Sequence, residues 1–241
     1  MKTKEITRML SDVLFPPRCV GCDEVLALSH RKLGFCPYCH PRIHPVKEPL
    51  CKKCGKPLLS QEAEYCYDCR DKQHHYLQGR GVYLYDGPMK KAMYRLKYSN
   101  RRAYARVIAR DAMRFHGAWL RGIRPEAIVP VPVHPNKMRL RGYNQAEVLA
   151  KALGQEMNLP VVNLVQRVAD TLPQKEMSAE KRAKNLKNAF KVAKNGVKFK
   201  RILIIDDIYT TGATVDAITD VLNDWGIEEV YCLYGCIGHG Y

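Results

Sequence analysis

From residue 79 to the end of the chain, strand-like and helix-like patterns alternate, which predicts an α/β domain with a mainly parallel sheet and helices on both faces. Two further observations complete that reading. Eight of the ten cysteines fall between residues 19 and 69 as four C-x-x-C pairs, so a small metal-stapled module precedes the α/β domain. One apolar strand, RILIIDD at 201–207, ends in two adjacent carboxylates and runs at once into a glycine and hydroxyl-rich turn, the pattern of a ligand site at a carboxyl edge. The 241 residues therefore divide into a module over 1–78, with a short N-terminal helix, and an α/β domain over 79–241.

The pairs are Cys19/Cys22, Cys36/Cys39, Cys51/Cys54 and Cys66/Cys69, with 13 residues between the first two and 11 between the last two. Two thiolates two residues apart wrap one edge of a tetrahedral ion, and a second pair closes the other edge. The doubled spacing predicts two structural zinc ions, held in two successive ribbons or in a cross-braced arrangement, with the successive pairing favoured. Gly21 and Gly55 supply turns beside the first and third pairs. His40, His44, His74 and His75 lie nearby, but a full set of eight cysteines leaves them no ligand role.

Within 79–241, GVYLYDG alternates as a strand, and PMKKAMYRLKY follows as a helix with Pro88 in its first turn. RRAYARVIARDAMRFHGAWL has helical apolar spacing, AIVPVPVH is a strand ending in a loop, and NQAEVLAKALGQEM is a helix. RILIIDD is a buried strand, GATVDAITDVLNDWG a helix closed by Gly226, and EVYCLYGCIG the last strand. Cys232 and Cys236, four apart in that strand, share one face and read as buried thiols, and His239 reads as exposed and without function.

A 46% hydrophobic composition excludes a largely disordered chain. No apolar run approaches the roughly 18 residues of a membrane span, and the first 17 residues lack the apolar core of a signal peptide, so the expected location is cytoplasmic with no transmembrane segment. The formal charge is +16, of which residues 1–78 carry +4 and residues 79–241 carry +12. Two ions each held by four thiolates contribute about −4, leaving the loaded module near neutral. The excess belongs to the α/β domain and predicts an anionic partner.

At the carboxyl edge, backbone N–H groups and hydroxyls of Thr210, Thr211, Gly212, Ala213 and Thr214 suit a phosphate at a helix N-terminus. Asp206 and Asp207 suit vicinal hydroxyls one sugar away, so a ribose 5-phosphate fits. No G-x-x-x-x-G-K-[ST] occurs, which argues against a nucleoside triphosphatase.

The segment IIDDIYTTGAT resembles the phosphoribosyl diphosphate (PRPP) motif of type I phosphoribosyltransferases. Together with FPPRCVGC and VPVHPNKMRLRGYNQAE, it makes nearly the whole chain similar to the ComF family, in which a zinc-binding N-terminus precedes a phosphoribosyltransferase-like domain. The resemblance implies that Asp206 and Asp207 meet the ribose hydroxyls and that residues 210–214 hold the 5-phosphate. It also implies that the loop with His134, Lys137, Arg139 and Arg141 faces the pyrophosphate, with Mg2+ bridging ligand oxygens. It further implies uptake of single-stranded DNA during natural transformation, or use of DNA or carbon sources.

Three functional readings follow. The leading one is a protein that binds single-stranded DNA and assists its handling in transformation, with a PRPP-type site. The second is an active phosphoribosyltransferase on an unidentified acceptor, for which the basic segment 171–190 would be a lid, although that segment equally suits a nucleic-acid arm. The third is an adaptor whose zinc module docks a helicase or recombination mediator. For DNA, residues 90–110 carry eight Lys/Arg and no acid, and Lys90, Lys91, Arg95, Lys97, Arg101 and Arg102 are the candidate contacts. Residues 175–201 add ten basic groups against two glutamates. Tyr94, Tyr98 and Tyr104 are interleaved with the basic groups, but tyrosines at this spacing pack in cores more often than they stack on bases.

Overall fold

A computed structural model of the protein describes residues 15–168, 188–193 and 199–240. The segment 171–190, apart from 188–190, and much of the basic stretch 175–201 lie outside these residues, as does the expected N-terminal helix before Phe15.

Four parallel strands form the main sheet in the order β1-β6-β5-β2. They are β1 (Gln78–Leu84), β2 (Ala127–Pro130), β5 (Arg201–Tyr209) and β6 (Glu229–Ile237), while β3 (Val165–Arg167) and β4 (Phe190–Val192) pair antiparallel in a separate ribbon. Strand β1 begins at Gln78, at the boundary between the expected module and domain. The helices are α1 (Leu28–Arg31), α2 (Tyr67–Asp71), α3 (Gly87–Tyr98), α4 (Tyr104–Ile123), α5 (Pro135–Arg141), α6 (Gln145–Met157) and α7 (Ala213–Asp224).

Strand β5 shows why the sheet needs two covering layers. Its residues alternate between faces, Leu203 and Ile205 joining one core and Ile202 and Ile204 the other. On the first face lie Met89, Met93 and Leu96 of α3, Ile108 and Leu120 of α4, and Leu149 and Leu153 of α6. On the second lie Val215, Ile218 and Leu222 of α7.

The cysteine module does not stand apart from this domain. Its first half packs Cys19, Val20, Leu26 and Phe35 into the core of the first face, and its second half packs Leu50, Cys51, Cys54 and Cys66 into that of the second. Each ribbon thus supplies part of one covering layer. Polar contacts fix the first half: Arg101 Nη2 meets Asp23 Oδ2 at 2.7 Å, Tyr104 Oη donates to Asp23 Oδ1 at 2.6 Å, and Arg95 Nη1 donates to the Gly21 carbonyl at 2.9 Å. The second half lies directly on β1, where a Cβ on Gly55 would stand 2.4 Å from the Gly79 carbonyl oxygen. Cys232 and Cys236 are fully buried, and burial raises both thiols well above their ordinary range.

One expected loop is helical instead. After β2 ends at Pro130, His134 Nδ1 accepts from the Asn136 N–H, Pro135 occupies the first helical position, and α5 runs to Arg141. Gly142, at φ +74°, ends it in the left-handed conformation that glycine adopts without a Cβ penalty.

Candidate functional site

The two sulphur groups are Cys19, Cys22, Cys36 and Cys39, and Cys51, Cys54, Cys66 and Cys69. The pairing is therefore successive, not cross-braced. Within each group all sulphurs lie within 4.8 Å of one another, with Cys22 to Cys36 at 3.7 Å and Cys54 to Cys66 at 3.6 Å. Tetrahedral zinc with bonds of about 2.3 Å places its sulphurs about 3.8 Å apart, so both groups fit the ion. Backbone N–H groups of Cys36 and Cys39 point at Cys19 Sγ and Cys36 Sγ at 3.3 and 3.4 Å, an arrangement that favours thiolates. Among the described residues no histidine joins either group. His44 faces Asp86, and His74 and His75 face Asp216 and Asp220.

Near the carboxyl end of β5, the Asp207 N–H donates to Asp206 Oδ1 at 2.8 Å. Asp207 is 5% exposed, and its Oδ2 lies 2.6 Å from Lys97 Nζ of α3. Gln145 Nε2, at the start of α6, donates to Asp207 Oδ1 at 3.4 Å. Burial and the neighbouring Asp207 charge push the Asp206 carboxyl well above its usual range.

The turn after β5 leads directly into α7. Thr210, Thr211 and Ala213 are exposed, Thr214 is half-buried, and Gly212 has φ +77°. Among the described residues no side chain caps this helix, which leaves the first N–H groups of α7 directed at the turn. A Cβ on Gly212 would stand 2.6 Å from Tyr209 Oη and 2.7 Å from His74 Cε1, so only glycine fits.

His74 comes from the link between the cysteine module and β1. Its Nδ1 lies 2.8 Å from Asp216 Oδ2 of α7, and its Nε2 lies 3.3 Å from Tyr209 Oη. The His75 N–H donates to Asp216 Oδ1 at 3.1 Å, and Lys72 Nζ reaches both Asp216 Oδ2 and the Thr211 carbonyl at 3.2 Å. Burial alone would raise the Asp216 carboxyl, but the His74 contact and charge outweigh it and hold the group below its ordinary range. The link that follows the second cysteine group and the phosphate-type turn are therefore tied by one polar network.

The segment RGYNQ, 141–145, divides its work among four elements. Arg141 Nη2 donates to Tyr98 Oη at 3.0 Å and its Nη1 to Gln145 Oε1 at 3.1 Å. Tyr143 Oη donates to the Leu96 carbonyl of α3. Asn144 Nδ2 donates to the Val131 carbonyl at 2.9 Å, while its Oδ1 accepts from the Ala146 N–H at 3.0 Å and caps α6. Lys97, Gln145, Asn144 and Tyr98 thus belong to the site's surroundings although the sequence reading gave them no place in it. For Asn144 and Gln145 the signal was their position directly after the basic segment. For Lys97 there was none, because its partner is 110 residues away.

Among the sequence-predicted pyrophosphate residues, Lys137 and Arg139 are exposed on α5, His134 caps it, and Arg141 turns inward to Tyr98 and Gln145. Of the predicted DNA contacts, Lys90, Lys91 and Arg102 are exposed. Arg95, Lys97 and Arg101 engage Gly21, Asp207 and Asp23, so part of the positive charge counted for an outside partner is neutralised inside the fold.

The profile of the double zinc ribbon domain matches residues 10–70, and that of the phosphoribosyl transferase domain matches 141–235. Fold and site together define a phosphoribosyltransferase domain joined to a double zinc ribbon. The chain is 35% identical over 223 residues to Competence protein F of Haemophilus influenzae, covering 88% of this chain and 93% of that protein. It is 31% identical to the DNA utilization protein YhgH of Escherichia coli, over 90% of this chain and 96% of that one. Competence protein ComFC of Streptococcus pneumoniae is 29% identical, over 86% and 89%. The chain belongs to this ComF family. Among the described residues no helix is long and apolar enough to cross a membrane.

Proposed function

We propose that this protein binds single-stranded DNA and assists its uptake or handling in natural transformation, and that its phosphoribosyltransferase domain binds a PRPP-type ligand. The observation that carries this reading is a PRPP-like edge, Asp206 and Asp207 followed by the uncapped turn at Gly212, in a chain similar over about nine-tenths of its length to proteins named for competence and DNA utilization. The formal +16 charge supports a polyanionic partner.

In this reading the turn at 210–214 takes the 5-phosphate, and Asp206 and Asp207 take the ribose hydroxyls once Lys97 shifts or shares Asp207. Lys137 and Arg139 stand exposed for the pyrophosphate. One or two carboxylates together with ligand phosphates are an ordinary donor set for Mg2+, so the ion would arrive with the ligand and shield its charge. The ribbons bury their apolar sides within this chain's own cores, which supports a structural role over a free-standing adaptor.

The test is titration of the zinc-loaded protein into a labelled single-stranded oligonucleotide at several salt concentrations, with and without Mg2+ and PRPP. Binding that weakens steeply with salt is expected. Absence of binding at low salt would sink the DNA role. Calorimetry with PRPP tests the pocket: the double variant Asp206→Ala, Asp207→Ala should lose binding, and an unchanged affinity would place the ligand elsewhere.

A further inference from the structure

Among the described residues, nothing covers one face of helix α3. Tyr94 and Tyr98, four residues apart, are 61% and 53% exposed, and their ring centroids lie 4.9 Å apart at 45°. Beyond them the Arg141 guanidinium lies 4.8 Å over the Tyr98 ring while donating to its hydroxyl. Two exposed rings thus stand side by side with a half-buried guanidinium against one of them, where rings at helical spacing would ordinarily be buried. The surroundings are cationic: Lys90 and Lys91 are exposed one turn earlier on the same helix, and exposed Arg102 lies 4.2 Å over the Tyr143 ring. Residues 90–110 contain no acid. The cluster also adjoins the carboxylate pair, since Arg141 bonds Gln145, Gln145 bonds Asp207, and Lys97, beside Tyr98, holds the same carboxylate.

We propose that Tyr94, Tyr98 and Arg141 form a base-stacking platform for single-stranded DNA, with Lys90, Lys91 and Arg102 meeting the flanking phosphates. The proposal rests on the DNA-binding reading above and assigns it a surface. Aromatic rings beside exposed cations, on a segment that itself carries no acid, are complementary to a polyanion with exposed flat bases. Duplex DNA hides its base faces in the stack, so the platform selects single strands.

The test compares the wild type with the Tyr94→Ala, Tyr98→Ala double variant by fluorescence anisotropy on an oligo(dT) strand and on an abasic strand of equal length and charge. Loss of stacking should weaken oligo(dT) binding roughly five- to hundredfold while leaving the salt dependence unchanged, because the cationic side chains that meet phosphates all remain. On the abasic strand the wild type and the double variant should bind alike. Tyr94→Phe with Tyr98→Phe should bind oligo(dT) within about twofold of wild type, since the rings remain. Lys90→Ala with Lys91→Ala should instead flatten the salt dependence, by roughly 0.7 for each phosphate no longer neutralised. Matching melting temperatures confirm folding of each variant. If the wild type binds oligo(dT) and the double alanine variant binds it equally, the platform is refuted while the DNA role stands. If the wild type binds no DNA, both fall.

Discussion

Replacing Asp216 by alanine removes the centre of the network that ties the link after the second cysteine group to the phosphate-type turn. The carboxylate accepts from the His75 N–H and faces His74 Nδ1 and Lys72 Nζ. The His74 side chain is fully buried and would lose its charged partner without access to water. Leaving a buried hydrogen-bonding group without its partner costs about 1–3 kcal/mol. The Lys72 side chain is 45% exposed and regains water, but His74 Nδ1 and the His75 N–H both lose their partner, which places the cost near the upper end, at about 3 kcal/mol. For a chain of this length that lowers the melting temperature by about 6–12 °C. Asp216→Asn keeps an acceptor for the His75 N–H and should lose about half as much. The Asp216 carboxyl is held below its ordinary 3.8, so its stabilisation is complete above pH 3.8 and is lost as pH falls through the lower folded value. Differential scanning calorimetry of the zinc-loaded proteins reads the effect. A shift of less than about 2 °C for Asp216→Ala would show that the network does not hold the two units together.

At Asp206 the opposite sign is expected. Its carboxyl is raised by burial and by Asp207, so between pH 3.8 and the raised folded value the native state holds a proton that the unfolded chain has lost, and stability falls as pH rises across that window. Asp206→Asn should therefore stabilise the protein at pH 7 by about 0.5–2 kcal/mol in urea unfolding while weakening binding of a PRPP-type ligand, the trade expected of a functional carboxylate; a less stable variant would contradict it. Elemental analysis should find two zinc ions per chain, one for each sulphur group, and Cys51→Ser should leave one. Because both groups lie in the cores that cover the sheet, chelation should collapse the near-ultraviolet signal of the whole molecule; loss of signal confined to the ribbons would show that the shared cores are not cooperative.

Local chemistry made much of this protein legible in one dimension. Four C-x-x-C pairs need only short loops to close two tetrahedral sites, so their order along the chain already favoured the pairing the structure shows. The strand at 201–209 was readable because apolar continuity and an abrupt pair of acids are adjacent in sequence, and the positive φ of Gly212 follows from the turn it must make. The span of α5 was misread as a loop because its exposed polar residues carry no apolar stripe, and its start and stop rest on a histidine cap and a glycine.

Composition, spacing and short motifs by themselves determined the class of fold, the two metal-type clusters and the place of the carboxylate edge, because each depends on residues close in the chain. Tertiary structure alone decided which charges remain for a partner. Arg95, Lys97 and Arg101 look identical in sequence to their exposed neighbours, yet helix phase turns Arg95 and Lys97 toward Gly21 and Asp207, and the link after α3 brings Arg101 to Asp23. It also decided that the two ribbons cover opposite faces of one sheet and that His74 abuts the turn at Gly212. Those pairings join residues as many as 142 positions apart, and a side chain's partner at that range is set by packing, which no local pattern encodes.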